Sequence, residues 1–294
     1  MAVAALTSSL VRVVMIFFSV TEALIHLSEE TVTMFSVARA ELIFLMAGGG
    51  NDTASYEYSA AVTIDLGAYG GPRATGGDAT GDTLISIEKL IGSTAADTLT
   101  GDANDNILEG RAGSDNIDGG GGTNTASYEN SAGAVTVNLL TSVHSGNDAA
   151  GDTLTNIQNL RGSDKAQTGD NLTGNASNNV LEGRLGHDTL DGGAGDETLI
   201  GGAGNDTFVF ENLGSNDSIT SGDFTTGAAS DDQLDVSVFD LIGADPGQYA
   251  DLADFKANGM NEAGGNTTIE LDGDDSIILV GVSISNLHAD DFIF

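Results

Sequence analysis

The chain has no cysteine, no tryptophan, only 2 prolines, and 9 basic side chains against 44 acidic ones. Without cysteine there is no disulfide framework and no thiolate zinc site. Without tryptophan the sequence advertises no large aromatic-lined cleft. A formal net charge of −35 excludes charge-driven binding to nucleic acid or to an anionic membrane surface. No run approaches the roughly 20 apolar residues that a membrane-spanning helix needs. At 294 residues the chain can hold two or three modules, but their stability has to come from something other than crosslinks or a large aromatic core.

The residue in excess is glycine, with 41 copies, and it is placed periodically. Gly110-Arg-Ala-Gly-Ser-Asp-Asn-Ile-Asp118 is followed at once by Gly119-Gly-Gly-Gly-Thr-Asn-Thr-Ala-Ser127, both in the frame G-G-x-G-x-D-x-U-x with U apolar. Units begin at 92, 101, 110 and 119, again at 165, 174, 183, 192 and 201, and singly at Ala47. Their sixth positions read Asp97, Asn106, Asp115 and Asn124, then Asp170, Asn179, Asp188, Glu197 and Asp206, with Asp52 in the lone unit. Their eighth positions read Leu99, Leu108, Ile117 and Ala126, then Leu172, Leu181, Leu190, Leu199 and Phe208, with Ala54 in the lone unit. A disordered, turn-rich chain has no reason to place an apolar side chain every nine residues.

Each unit reads as a tight glycine turn followed by a very short strand. A strand that short cannot bury its one apolar residue alone, so successive units are expected to stack as a solenoid with a continuous thin core. The frame resembles the hemolysin-type calcium-binding repeat (RTX) family. The resemblance implies an all-β fold, a parallel β-roll with two units per coil, so that alternate units share an edge. One edge then carries Asp97 and Asp115, and in the second run Asp170, Asp188 and Asp206. The opposite edge carries Asn106 and Asn124, then Asn179 and Glu197.

Calcium is a hard cation that takes about six to eight oxygens. Carboxylates from successive coils, with backbone carbonyls of the turns around Gly110, Gly113, Gly183, Gly186, Gly201 and Gly204, are the implied Ca²⁺ ligands. The aspartate edges are expected to bind first; Asn106, Asn124 and Asn179 offer an oxygen without a charge. If every such pair made a site, the runs would hold about five ions. An EF-hand reading of Asp102-Ala-Asn104-Asp-Asn106 fails, because Ile107 stands where glycine is needed and Gly113 where glutamate is needed. Self-repulsion should keep the metal-free repeats unfolded, and bound calcium should stabilise the folded state by linkage.

Four segments are expected. Residues 1–46 are apolar and poor in glycine; Leu10, Val13, Val14, Phe17, Leu24, Ile25 and Leu27 recur near helical spacing, which predicts a helical cap on the open end of the solenoid. The same stretch faintly resembles the start of a signal peptide after Arg12, but its apolar core is short and Glu22, Glu29 and Glu30 stand where cleavage would fall. Residues 47–127 and 128–210 form two repeat modules. They are related by a duplication in which Thr53-Ala-Ser-Tyr-Glu57 recurs as Thr125-Ala-Ser-Tyr-Glu129 and Gly81-Asp-Thr-Leu84 as Gly151-Asp-Thr-Leu154. Ala61–Leu66 and Ala134–Leu139 alternate as half-buried strands do and are expected to add longer strands to the same solenoid, with Tyr56 and Tyr128 packing at the joins. Residues 211–294 read as a C-terminal β domain, with strands at 218–220, 233–239, 267–271 and 276–280 and a turn at Asp272-Gly273. Together with Asp206-Thr-Phe-Val-Phe210, this end, closing on Asp290-Asp-Phe-Ile-Phe294, resembles the targeting domain of type I secreted proteins. The resemblance implies export through a type I secretion apparatus to the extracellular medium. Ser221-Gly222 looks inserted relative to that pattern.

No catalytic motif accompanies the repeats. The four histidines, His26, His144, His187 and His288, include no H-E-x-x-H pair. The nearest approach to G-x-S-x-G, Glu129-Asn-Ser131-Ala-Gly133, lacks its first glycine. The expectation is a secreted, non-catalytic calcium-binding repeat protein with a structural or interaction role. The competing readings are part or all of a secreted polysaccharide-acting or hydrolytic enzyme, and a calcium-dependent adhesin.

Overall fold

A computed structural model of the chain describes residues 14–16, 23–26, 32–35, 43–67, 74–210, 216–219, 232–235, 251–271 and 276–293. Its unit of construction is a three-residue strand repeated every nine residues, such as Thr98–Thr100, Ile107–Glu109, Asn116–Asp118 and Thr125–Ser127. Strands two units apart pair in parallel, with Leu99 opposite Ile117 and Leu108 opposite Ala126. Consecutive units therefore enter opposite sheets, and the eighth-position side chains face each other across a thin interior. Leu99, Leu108, Ile117 and Ala126 are all fully buried, each the middle residue of its strand, because strand neighbours point to opposite faces. The fold is a parallel β-roll.

The described chain divides into two compact units, Met1–Tyr128 with Asn147–Ile157, and Glu129–Gly146 with Gln158–Phe294. In the first, one sheet runs through Thr53–Ser55, Lys89–Ile91, Ile107–Glu109 and Thr125–Ser127. The other runs through Thr63–Asp65, Thr98–Thr100, Asn116–Asp118 and Thr153–Thr155. In the second unit, Thr136–Asn138, Asn171–Thr173, Thr189–Asp191, Thr207–Val209 and Gln233–Asp235 form one parallel sheet. Asn159–Arg161, Val180–Leu185, Thr198–Ala203 and Asn216–Ile219 form the other.

Three expectations need correction. Among the described residues of 1–46 there is no helix: Val14–Ile16 pairs in parallel with Val32–Phe35, and Ala23–His26 with Ile43–Met46. The helical reading rested on apolar spacing alone, in a stretch without the glycine and aspartate that mark the turns elsewhere. Second, the Ala61–Leu66 and Ala134–Leu139 stretches contribute only the short strands Thr63–Asp65 and Thr136–Asn138. Each folds back as an antiparallel hairpin, onto Ala74–Thr75 and Val143–Ser145 respectively. Third, the unit of Asp170 begins at Gly162, not at 165. Gly162 stands to Asp170 as Gly92 stands to Asp97, each backed by its carboxylate and by the next coil's carbonyl. Three extra residues are accommodated in the turn, where the Thr168 N–H donates to the Lys165 carbonyl at 3.1 Å.

At the C-terminal end, Ser276–Leu279 continues in parallel from Asn216–Ile219 and then pairs antiparallel with Asn266–Glu270, which pairs with Met260–Ala263. Phe292–Ile293 adds to Gln233–Asp235. A helix over Leu252–Asn258 was not foreseen; Asp251 caps it by accepting the Asp254 N–H at 2.9 Å. Its Phe255 meets Phe292 edge to face, with ring centroids 5.9 Å apart. The turn at Asp272-Gly273, the Ser221-Gly222 insertion and the 236–239 part of the predicted strand lie outside the described residues.

Candidate calcium sites

The sixth-position aspartates are buried on one edge of each unit and joined into a ladder. In the first unit the Val62 N–H donates to Asp97 Oδ1 (2.7 Å), the Asp97 N–H to Asp115 Oδ1 (2.8 Å), and the Asp115 N–H to Asp152 Oδ1 (2.9 Å). In the second, the Val135 N–H donates to Asp170 Oδ1 (2.8 Å), Asp170 to Asp188 (2.7 Å), Asp188 to Asp206 (2.8 Å) and Asp206 to Asp232 (2.7 Å) in the same way. Each rung thus spends one carboxylate oxygen on the backbone of the coil before it. The first rungs also spend the second oxygen: Asp97 Oδ2 accepts the Ser93 N–H at 2.5 Å and Asp170 Oδ2 the Ser163 N–H at 2.6 Å. In the interior rungs, Asp115 Oδ2 and Asp188 Oδ2 are buried with no hydrogen-bond partner.

Asp152 and Asp232 were not singled out from the sequence. Their signal is Asp-x-Leu without the glycine prefix, in Asp152-Thr-Leu154 and Asp232-Gln-Leu234. The duplicated tyrosines do pack inside, and each also donates its hydroxyl: Tyr128 to Asp152 Oδ2 at 3.1 Å and Tyr56 to Asp82 Oδ2 at 3.0 Å. Asp152 is therefore satisfied on both oxygens and closes its ladder.

Stacking carboxylates in a desolvated edge makes ionisation costly. Burial, then the negative charges of Asp152, Asp97 and Asp148, raise Asp115 to about 7 against the pull of the Asp97 N–H. Asp188 is likewise raised to about 7 by burial, with Asp170 and Asp206 adding repulsion, and Asp152 to about 6, again chiefly by burial. Burial also raises Asp97 and Asp170. Such an edge calls for a compensating positive charge.

Glycine in the turns lets carboxylate and carbonyl oxygens approach the backbone closely. A Cβ on Gly162 would lie 2.5 Å from Asp170 Oδ2 and 2.7 Å from the Gly183 carbonyl; one on Gly92 would lie 2.5 Å from Asp97 Oδ2 and 2.8 Å from the Gly110 carbonyl. Gly110, Gly183 and Gly201 press in the same manner on Asp115, Asp188 and Asp206. Gly113, Gly186 and Gly204 have φ of 152°, 150° and 145°, a region closed to most L-residues. Among the described residues no three acidic or histidine side chains converge on one point, so an ion here would draw on backbone carbonyls as well. An all-oxygen set with an unspent buried carboxylate oxygen fits Ca²⁺.

Asp52 stands elsewhere. It is buried, and its N–H donates to Glu88 Oε2 at 2.8 Å. Its strand neighbours place it on the other edge, in the row Asp52, Glu88, Asn106 and Asn124. The matching row of the second unit is Gln158, Asn179 and Glu197. His187 makes a turn contact, its Nδ1 accepting the Asn205 N–H at 2.9 Å.

These features define a calcium-binding parallel β-roll built from nonapeptide turns. Residues 91–126 and 169–208 match the model of the RTX calcium-binding nonapeptide repeat, in four copies. The chain carries RTX repeats, which bind calcium, and proteins that carry them are typically secreted. No curated protein matches the chain. Among solved structures it is similar to the crystal structure of the extracellular lipase LipA from Serratia marcescens, at 20% identity and a TM-score of 0.26. The match covers 70% of this chain and 39% of that one, so the chain spans less than half of that protein. Among the described residues no helix is long and apolar enough to cross a membrane.

Proposed function

We propose that this is an extracellular calcium-binding repeat protein, exported by a type I apparatus and folded by calcium after export, with a structural or interaction role and no catalytic activity of its own. The observation that carries the reading is the aspartate ladder, whose buried interior carboxylates lack a positive partner until an ion arrives. Extracellular calcium modules bind at about 10⁻⁴ to 10⁻³ M, so the ladder would stay open in the cytosol and close outside. The chain's own residues hold the ion: Asp97, Asp115, Asp170, Asp188 and Asp206 through carboxylates, and the turn glycines through carbonyls. The C-terminal resemblance supports export, and the absence of catalytic motifs from the sequence supports the non-catalytic role.

Far-UV circular dichroism during a calcium titration tests the folding step. The whole chain should pass from coil to β near millimolar calcium, and an Asp115→Ala, Asp188→Ala double variant should need more calcium or fail to fold. A chain already fully β in chelator would sink the reading. Export is tested by fusing residues 211–294 behind a reporter in cells with a type I exporter; a reporter retained in the cytosol would remove that part. Calcium-dependent turnover of uronate polymers or esters would overturn the non-catalytic part.

A further inference from the structure

The two edges of the roll share their backbone. On both, the first glycine of a unit lies against the sixth-position side chain and the next coil's carbonyl: Gly92 and Gly162 on the aspartate edge, Gly101 and Gly174 on the other. On both, the sixth-position oxygen can accept the N–H of the coil before, as Asn124 Oδ1 accepts the Asn106 N–H at 2.9 Å. What differs is the second atom of the side-chain head.

In asparagine that atom is a donor, and every asparagine rung uses it on a carbonyl. Asn106 Nδ2 donates to the Glu88 carbonyl at 3.5 Å, a long contact, and Asn124 Nδ2 to the Asn156 and Gly121 carbonyls at 3.2 and 2.9 Å. Asn179 Nδ2 donates to the Gln158 carbonyl at 2.5 Å. Their oxygens are spent too: Asn106 Oδ1 accepts the Asp102 N–H and Asn179 Oδ1 the Asn175 N–H, each at 2.8 Å. In aspartate the second atom can only accept: at Asp97 and Asp170 it takes a serine N–H, and at Asp115 and Asp188 it is buried with nothing to accept from.

We infer that the rungs Asn106, Asn124 and Asn179 are metal-free, the side-chain amide taking the place of the ion by donating to the carbonyls a cation would otherwise bridge. The inference rests on the calcium reading above and narrows it. Calcium then loads on carboxylate pairs such as Asp97–Asp115, Asp170–Asp188 and Asp188–Asp206, and each asparagine selects against a site at its own place. A carboxylate there would have no proton to donate and would recruit a cation.

Ion counting by equilibrium dialysis with radioactive calcium, on the whole chain at saturating calcium, tests it. Asp188→Asn should lower the count by at least one ion. An Asn106→Ala, Asn124→Ala variant should keep the wild-type count while melting at a lower temperature. An Asn106→Asp, Asn124→Asp variant, which preserves shape and guards against a misfolded alanine variant, should bind one ion more than wild type. Loss of ions in the alanine variant that folds, or an unchanged count in the aspartate variant, would overturn the inference while leaving the calcium reading intact. A wild-type chain with no bound calcium would overturn both.

Discussion

Asn179 and Asp188 occupy the same place in successive nonapeptides, on opposite edges of one unit, and both are almost wholly buried. Folding alone finishes the first: its oxygen accepts the Asn175 N–H and its nitrogen donates to the Gln158 carbonyl. The second is left with a buried oxygen without a partner and a carboxyl group raised to about 7. One atom separates a rung that closes by itself from one that needs an ion, since a buried acceptor without a donor costs about 1–3 kcal/mol and a charged one more.

The comparison is broken most severely by pH in the absence of metal. Asp115 and Asp188 have folded-state values near 7 against the usual carboxylate range in the unfolded chain. The folded state then holds more protons than the unfolded state between about pH 4 and 7, and stability falls as pH rises through that window. The chelated chain should be more folded at pH 5 than at pH 8 by circular dichroism. An Asp115→Asn, Asp188→Asn variant should flatten that dependence, and no difference between the two pH values would place the repulsion elsewhere.

A second change should hit both edges alike. Leu181→Ala and Leu190→Ala each open a cavity in the shared interior, where both leucines are fully buried. Each should cost about 2–5 kcal/mol of calcium-loaded stability, read by denaturant titration, with neither altering the ion count. A loss confined to one of them would mean that the two sheets do not share a core.

Tyr128→Phe sharpens the contrast at the end of a ladder. It strips the donor from Asp152 Oδ2, turning a closed rung into an open one. The expected loss is about 1–3 kcal/mol without calcium, partly recovered with it, as thermal melts in each condition would show. Smallest is Arg184→Ala, which removes partly exposed ion pairs to Asp164 and Glu182 at 2.7 and 3.0 Å. It should cost about 0.2–1 kcal/mol. Arg184 also sits at φ 78°, so Arg184→Gly relieves strain and should lose less than the alanine variant.

Much of this was legible from residues. The nine-residue period placed Leu99, Leu108, Ile117, Leu172, Leu181, Leu190 and Leu199 in the interior, where all are fully buried. Alternation by unit separated the aspartate edge from the asparagine edge. Less legible were rungs whose turns have lost their glycines, such as Glu88, Asp152, Gln158 and Asp232, because the frame was recognised by its turn and these keep only the strand half. The strands before residue 47 were hidden for a related reason: without glycine or aspartate to mark the turns, short apolar stretches do not by themselves separate strand from helix.

By itself, the sequence determined the period, the edge on which each side chain falls and the type of head group it carries there, since a strand that buries its middle residue allows one register. Only the tertiary structure decided which oxygens remain unspent. Ser93 and Ser163 close the second oxygens of Asp97 and Asp170, and Tyr128 closes that of Asp152, while Asp115 and Asp188 stay open. Those partners come from turns 4 and 7 residues away and from a coil 24 residues away in sequence. Hydrogen-bond satisfaction depends on which atoms stacking brings together, and a repeat of nine residues does not contain that information.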